Sequence, residues 1–183
     1  MHDEIQALQK RSIKTIALTA QFTGKYGEIE RFEQWRFEKL GLLGIKFNSS
    51  FVEQEIKLDA LASYKNNYPI FYQGILCANT VPKGDVLGAF LDRIEWQPER
   101  VIFFDDSKKY VDSVAQEMEK RAISFYGYVY KAASLVSVTI DFDIARFQLE
   151  YLKKYQKWIG DDQALSMMRK EKFEERIQKS VSP

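Results

Sequence analysis

Asp105 and Asp106 close the stretch VIFFDD, four apolar residues running into two adjacent carboxylates. Such a run reads as a buried strand that delivers hard oxygen ligands to its tip, the donor type magnesium prefers. Two upstream segments offer complementary chemistry. Thr19 ends the run TIALT, where a hydroxyl can hydrogen-bond an anion. Lys83, in VPKGDVL, sets an ammonium just before a helix start, where free amides and the helix dipole also favour negative charge. A hydroxyl, a lysine and an acid pair together describe a phosphate site, because phosphoryl transfer needs mostly positioning and charge neutralisation.

The rest of the composition narrows the chemistry. His2 is the single histidine and Cys77 the single cysteine among 183 residues, which excludes a histidine-activated nucleophile, a Cys/His zinc site and an intrachain disulfide. Any catalysis falls to carboxylates, lysine and hydroxyls. A net charge of +1 with interspersed signs gives no footprint for nucleic acid or an anionic membrane. No apolar run approaches the ~18–20 residues of a membrane span, and the charged start MHDEIQALQKRSIK is no secretory core. The length suits one domain with a real core.

These groups need elements to position them. IKTIALTA (13–20) reads as a buried strand, and YGEIERFEQWRFEKLGLLG as a helix stopped by Gly41 and Gly44. FVEQEIKLDALASYKNN suggests a weaker helix, and YPIFYQGILCANT one or two strands about Gly74. PKGDVLGAFLDRI is an amphipathic helix, VIFF a strand, SKKYVDSVAQEMEKR a helix with Val111, Val114 and Met118 on one face, and ISFYGYVY a strand. From about residue 143, Ile144, Phe147, Tyr151, Tyr155 and Trp158 recur at helical spacing, and Asp161 is placed to cap a last helix that uses Phe173 and Ile177. Trp35, Trp96 and Trp158 read as packing anchors, and Cys77 as a small core residue. Strands alternating with helices imply an α/β fold with a parallel sheet, whose active crevice lies beyond the carboxyl ends of the strands.

In order and spacing, TIALTA, PKGDVLGAFL and VIFFDDSKKYVDSV resemble the second, third and fourth motifs of the haloacid dehalogenase-like hydrolases, which are mostly magnesium-dependent phosphatases. GIL, ISFYGYVY, FQLEYL and WIGDDQAL are similar to pieces of a bacterial branch of unknown function within that superfamily, so the resemblance covers most of residues 13–168. It implies that Thr19 and Lys83 bind phosphate, that Asp105 and Asp106 hold Mg2+, and that the substrate is a phosphorylated small molecule or protein. The fold it implies is a parallel-sheet Rossmannoid core over residues 1–135, incomplete at its N-terminus, with a helical extension over 136–183.

The superfamily's first motif, a strand followed by Asp-x-Asp that supplies the attacking carboxylate, has no counterpart in MHDEIQALQKRS. That strand lies centrally, between those bearing the second and fourth motifs. Here the neighbours are TIALT and VIFF, both apolar enough for burial on two faces. Without it, each presents an unpaired edge or pairs with the other. The expectation is therefore the C-terminal part of such a phosphatase, inactive by itself, with its localisation open because a preceding signal would lie outside the sequence.

Two alternatives stand beside it: a non-catalytic binding protein of the same fold, and a circularly permuted enzyme in which VSVTIDFDIA supplies Asp141 and Asp143. The simpler use of Asp143 is as a helix N-cap. The plainer roles of the other residues are an Asp105 or Asp106 cap at Ser107, a solvated Lys83 and a backbone-bonded Thr19.

Overall fold

The computed structural model describes residues 2–131, 135 and 139–170, and shows a mixed α/β chain. In order, α1 (His2–Lys10), β1 (Ala17–Thr19), α2 (Phe32–Leu42), β2 (Glu55–Lys57), β3 (Ile70–Tyr72) and β4 (Ile75–Cys77) are followed by α3 (Lys83–Arg93), β5 (Arg100–Asp105), α4 (Lys108–Lys120), β6 (Ser124–Val129) and α5 (Phe142–Tyr155). Residues 161–170 are helical too. Two compact units arise: 2–24 with 31–135, and 25–30 with 139–170.

The first unit carries two separate sheets. One has the order β1-β4-β3-β2, and the other is the pair β5-β6. β1 runs parallel to β4, with Leu18 opposite Leu76 and Thr19 opposite Cys77. β3 and β4 form a hairpin across Gln73 and Gly74, both at positive φ, the geometry that two-residue hairpin turns require. Gly74 also has the Phe47 backbone against it, only 2.4 Å from where a Cβ would stand. β5 and β6 are parallel, with Ile102 opposite Tyr126 and Phe104 opposite Tyr128.

The helix expected over 51–67 is not there. Glu55–Lys57 instead forms β2, antiparallel to β3, with Ile56 buried between exposed Glu55 and Lys57. This alternation has a period of two, and it lets Ile56 join the core opposite Phe71. The N-terminal stretch folds as α1, with Asp3 and Glu4 in its first turn and Lys10 in its last, as the helix dipole favours.

One main core gathers Phe71 and Leu76 of the first sheet, Val86 and Phe90 of α3 and Val114 and Met118 of α4, with Val101, Phe103 and Phe125 of the second sheet packed against it. Phe71 and Phe90 stack at 4.6 Å, and Phe51 and Trp96 add edge-to-face contacts. On the other side of the first sheet, Ile70, Ile75 and Cys77 pack with Phe37 and Leu40 of α2. α3 and α4 approach closely at Gly84. Its N–H donates to Ser113 Oγ at 3.0 Å, and a Cβ there would lie 2.1 Å from the Ser113 carbonyl oxygen.

In the second unit, Ile144, Ile159 and Ala164 form a small core with Phe147 and Tyr151. Asp141, not Asp143, is the N-cap of α5; its Oδ1 accepts the N–H groups of Asp143 and Ile144. Asp161 takes the amide of buried Gln148 at 2.8 Å, tying the helical run 161–170 to α5. Trp158 is exposed and anchors nothing, since Ile159 is the residue that turns inward. Phe173 and Ile177 lie outside the described residues, as do 136–138 of the VSVTIDFDIA stretch.

Gly84→Ala should destabilise the chain by about 1–3 kcal/mol, because the new methyl meets backbone rather than a yielding side chain. Gly41→Ala, inside α2 with nothing within 4 Å, should stabilise by up to about 1 kcal/mol. Urea midpoints of the two variants should therefore move in opposite directions.

Candidate functional site

Lys83 is the first residue of α3, delivered there by the short connection that leaves β4 at Cys77. Its ammonium reaches Asp105 Oδ2 at 2.6 Å, with both side chains more than nine-tenths buried. It also lies 4.4 Å from the centroid of the Tyr110 ring and 5.9 Å from that of Phe103, so it meets one carboxylate and two aromatic faces. Asp105 is the last residue of β5. Its second oxygen, Oδ1, accepts the Ser107 N–H at 2.9 Å, and its carbonyl accepts the Tyr130 N–H. Ser107 is the N-cap residue of α4, so this carboxylate ties the strand end to the helix start. One side chain thus serves both the turn and the ion pair, but α4 has no side-chain cap bond, so neither aspartate caps it as expected.

The pair also fixes the sense of the strands. Lys83 follows the carboxyl end of β4 and meets the carboxyl end of β5, so both strands end on one side. β1 is parallel to β4 and ends there as well, at Thr19. The structure thus joins Lys83 and Asp105 directly and places Thr19 at the same end of the unit. The Thr19 carbonyl accepts the Ala78 N–H, while its hydroxyl makes no hydrogen bond among the described residues.

Asp106 differs sharply from its neighbour. It is exposed, and it forms no ion pair or hydrogen bond among the described residues. It is therefore the carboxylate open to a ligand, whereas both oxygens of Asp105 are engaged. No group of three or more acidic, histidine or cysteine side chains converges among the described residues. Asp141, a cap in the second unit, uses its oxygen on two backbone amides.

A second polar cluster escaped the sequence reading. Glu33 is buried on α2, where it accepts the Gly24 N–H at 2.9 Å and the Arg31 Nε at 3.0 Å; Arg31 also reaches Glu55. Thr23 and Asn79, both buried, bond each other, and Asn79 donates to the Asn67 carbonyl. The neighbouring cavity, about 240 Å³, is lined by Arg31, Glu33, Glu55, Lys57, Thr23 and Asn67, among others. Its members come from separate segments, and a glutamate on a helix reads as solvated until the fold is known. Cys77 is buried as expected. Burial, then the Glu33 carboxylate, pushes its thiol up to about 12, an effect that nearby Arg36 partly offsets.

Residues 1–165 match the family described as "Protein of unknown function (DUF2608)". The chain belongs to this family. An uncharacterized protein of Rickettsia prowazekii is 31% identical over 135 residues, covering 72% of this chain and 45% of the relative. A second protein of that organism is 26% identical over 172 residues, or 92% of this chain and 60% of the relative. A Chlamydia trachomatis protein named "Putative outer membrane protein" is 31% identical over 109 residues, 60% of this chain and 40% of its own length. The chain spans about half the length of the curated relatives it matches. No solved structure matches it.

Asp105→Asn keeps an acceptor for Ser107 but leaves the Lys83 ammonium buried and unpaired, which should cost about 3–5 kcal/mol. Lys83→Met should cost a similar amount by stranding the carboxylate. The double variant should cost clearly less than the sum in urea titrations, and additive losses would show that the two groups act independently.

Cys77 should stay unreactive toward Ellman's reagent at pH 8 until the chain unfolds. Because the folded thiol is the weaker acid, its contribution to stability is complete below the unfolded value of 9.0 and is lost as pH rises toward about 12.

Proposed function

We propose that this chain is the C-terminal part of a haloacid dehalogenase-like phosphatase, which in its complete form hydrolyses a phosphate ester through an aspartyl-phosphate. The observation that carries the reading is the buried Lys83–Asp105 pair at the shared carboxyl end of β4 and β5. The sequence resemblance assigned these two residues to one phosphate site although 22 positions separate them, and they meet at 2.6 Å. An active crevice beyond the strand ends is where an open α/β sheet binds its ligand.

In this reading the Thr19 hydroxyl and the Lys83 ammonium hold phosphoryl oxygens, while Asp106 and Asp105 belong to the magnesium site. The donor chemistry fits in part. Asp106 is an exposed hard-oxygen donor, and Asp105 would share an oxygen now bonded to Lys83 or to the Ser107 amide. Magnesium, when bound, supplies neutralising charge at the phosphoryl group. Lys83 holds Asp105 in place, and a phosphoryl oxygen is a competing acceptor for the same ammonium.

The attacking aspartate is assigned to polypeptide outside this chain. Two facts support that assignment. The curated relatives extend to about twice the matched length. Among the described residues β1 bonds β4 alone and β5 bonds β6 alone, so each keeps one open edge, and both feed the same core. A strand ending in Asp-x-Asp would pair with both in parallel and bring its carboxylate to the end where Lys83 and Asp105 stand. The alternative of a binding protein without catalysis draws support from the engaged oxygens of Asp105.

The test compares this chain with the longest native reading frame that contains it. With p-nitrophenyl phosphate and magnesium, this chain should show no turnover. The longer protein should hydrolyse the ester and lose activity by about two orders of magnitude or more on Asp106→Ala, as removal of a charge-stabilising group does. Activity of the short chain that Asp106→Ala abolishes would refute the assignment of the nucleophile. A longer protein inactive toward a panel of phosphate esters would favour the binding reading.

A further inference from the structure

The strand pair β5-β6 is covered on one face only. On its inner side Val101, Phe103 and Phe125 pack with Val114 and Met118 of α4. On the outer side the exposures of Ile102 and Phe104 are 57% and 66%, and those of Tyr126 and Tyr128 are 48% and 51%. These four residues form two cross-strand rows, Ile102 opposite Tyr126 and Phe104 opposite Tyr128. The rings of the second row stack at 5.0 Å. A contiguous apolar surface of this kind marks an interaction site, whereas scattered exposed apolar residues do not. Parallel strands are, moreover, found almost only where both faces are covered.

We infer that the outer β5-β6 face is the docking surface for an amphipathic helix supplied by polypeptide beyond this chain in the longer protein. A helix suits the chemistry of the face: the rows present flat rings and a branched aliphatic, whereas the backbone groups that would call for a strand lie along the edge of β5. Helices are also the elements that cover parallel sheets, because parallel strands are joined by helical crossovers. Charge gives the occupant a direction. Arg100 lies at the amino end of β5 with its guanidinium over the Tyr126 ring, and Asp106 follows the carboxyl end. The docking helix should therefore carry acidic residues near Arg100, at the end of the face away from the proposed magnesium site. Length supports the source, since the relatives have about as much polypeptide again beyond the matched part. The inference is independent of the phosphatase chemistry, because it concerns cover for a sheet and no reacting group.

The experiment places a cysteine on the face as Ile102→Cys, an exposed position whose loss leaves the inner core untouched. Cys77 is buried with its thiol pushed up to about 12, so it gives no native background. Maleimide labelling of the 183-residue chain should be fast and independent of protein concentration. In the longest native reading frame it should slow on the order of a hundredfold, the protection expected of a docked element that must open first. Equal rates in the two proteins would overturn the inference, as would a native reading frame with no further polypeptide. Slow labelling of the short chain at every concentration would put the cover within residues 1–183, and slowing only at high concentration would assign it to a second copy. Either result also overturns it.

Discussion

The first unit is organised around one buried ion pair. Lys83 and Asp105 come from opposite ends of the α3 hairpin-like excursion between two sheets, and neither charge is tolerable in the interior without the other. Once they must meet, much else follows. The exit of β4 and the end of β5 have to come together, and β1, parallel to β4, ends beside β4. α3 has to begin beside the start of α4, which brings Gly84 against the Ser113 backbone and leaves no room for a side chain. The aromatic rings of Tyr110 and Phe103 then close around the ammonium, so that the pair is shielded from water on sides where no acceptor is offered.

The same arrangement accounts for how two sheets can share a unit without sharing a hydrogen bond. β1 and β5 each end their sheet, yet Val86, Phe90, Val114 and Met118 hold both against α3 and α4 through apolar contact alone. Such contact is non-directional and keeps the strands near each other without satisfying their edges. Backbone groups on those edges need a partner, be it water or another strand. Among the described residues β5 is open twice: one edge lacks a neighbouring strand and one face lacks a helix.

Much of this was legible because short-range periodicity and interior burial coincide. α3 and α4 repeat apolar residues at helical spacing, and VIFF and ILC are continuous apolar runs with turn residues at their ends. The segment 51–67 misled because Phe51, Ile56, Leu58 and Leu61 fit helical spacing loosely, while the fact that decides it, pairing with β3, is not local. Trp158 misled for a related reason: its spacing from Tyr155 is helical, but α5 ends at Tyr155, so the phase is lost before Ile159 turns inward. The pairing of Lys83 with Asp105 could be anticipated only through the resemblance. The burial of Glu33 against Gly24 could not be anticipated at all, since it depends on a loop folding back by nine residues. Full burial of β5 was expected from its composition, yet composition cannot state whether a covering element is present.

The two aspartates that end VIFFDD therefore stand in different surroundings. Strand alternation sends successive residues to opposite faces, and burial along β5 alternates to its end: Val101, Phe103 and Asp105 turn inward, Ile102 and Phe104 outward. Asp106 continues that rhythm one residue beyond the strand and is exposed. The inward carboxylate is committed to Lys83 and to the start of α4, so its work is to hold the site's frame. Asp106 has no such commitment among the described residues. What lies open on β5 and just beyond it is therefore of two kinds, an apolar row at Ile102 and Phe104 and an exposed carboxylate at Asp106.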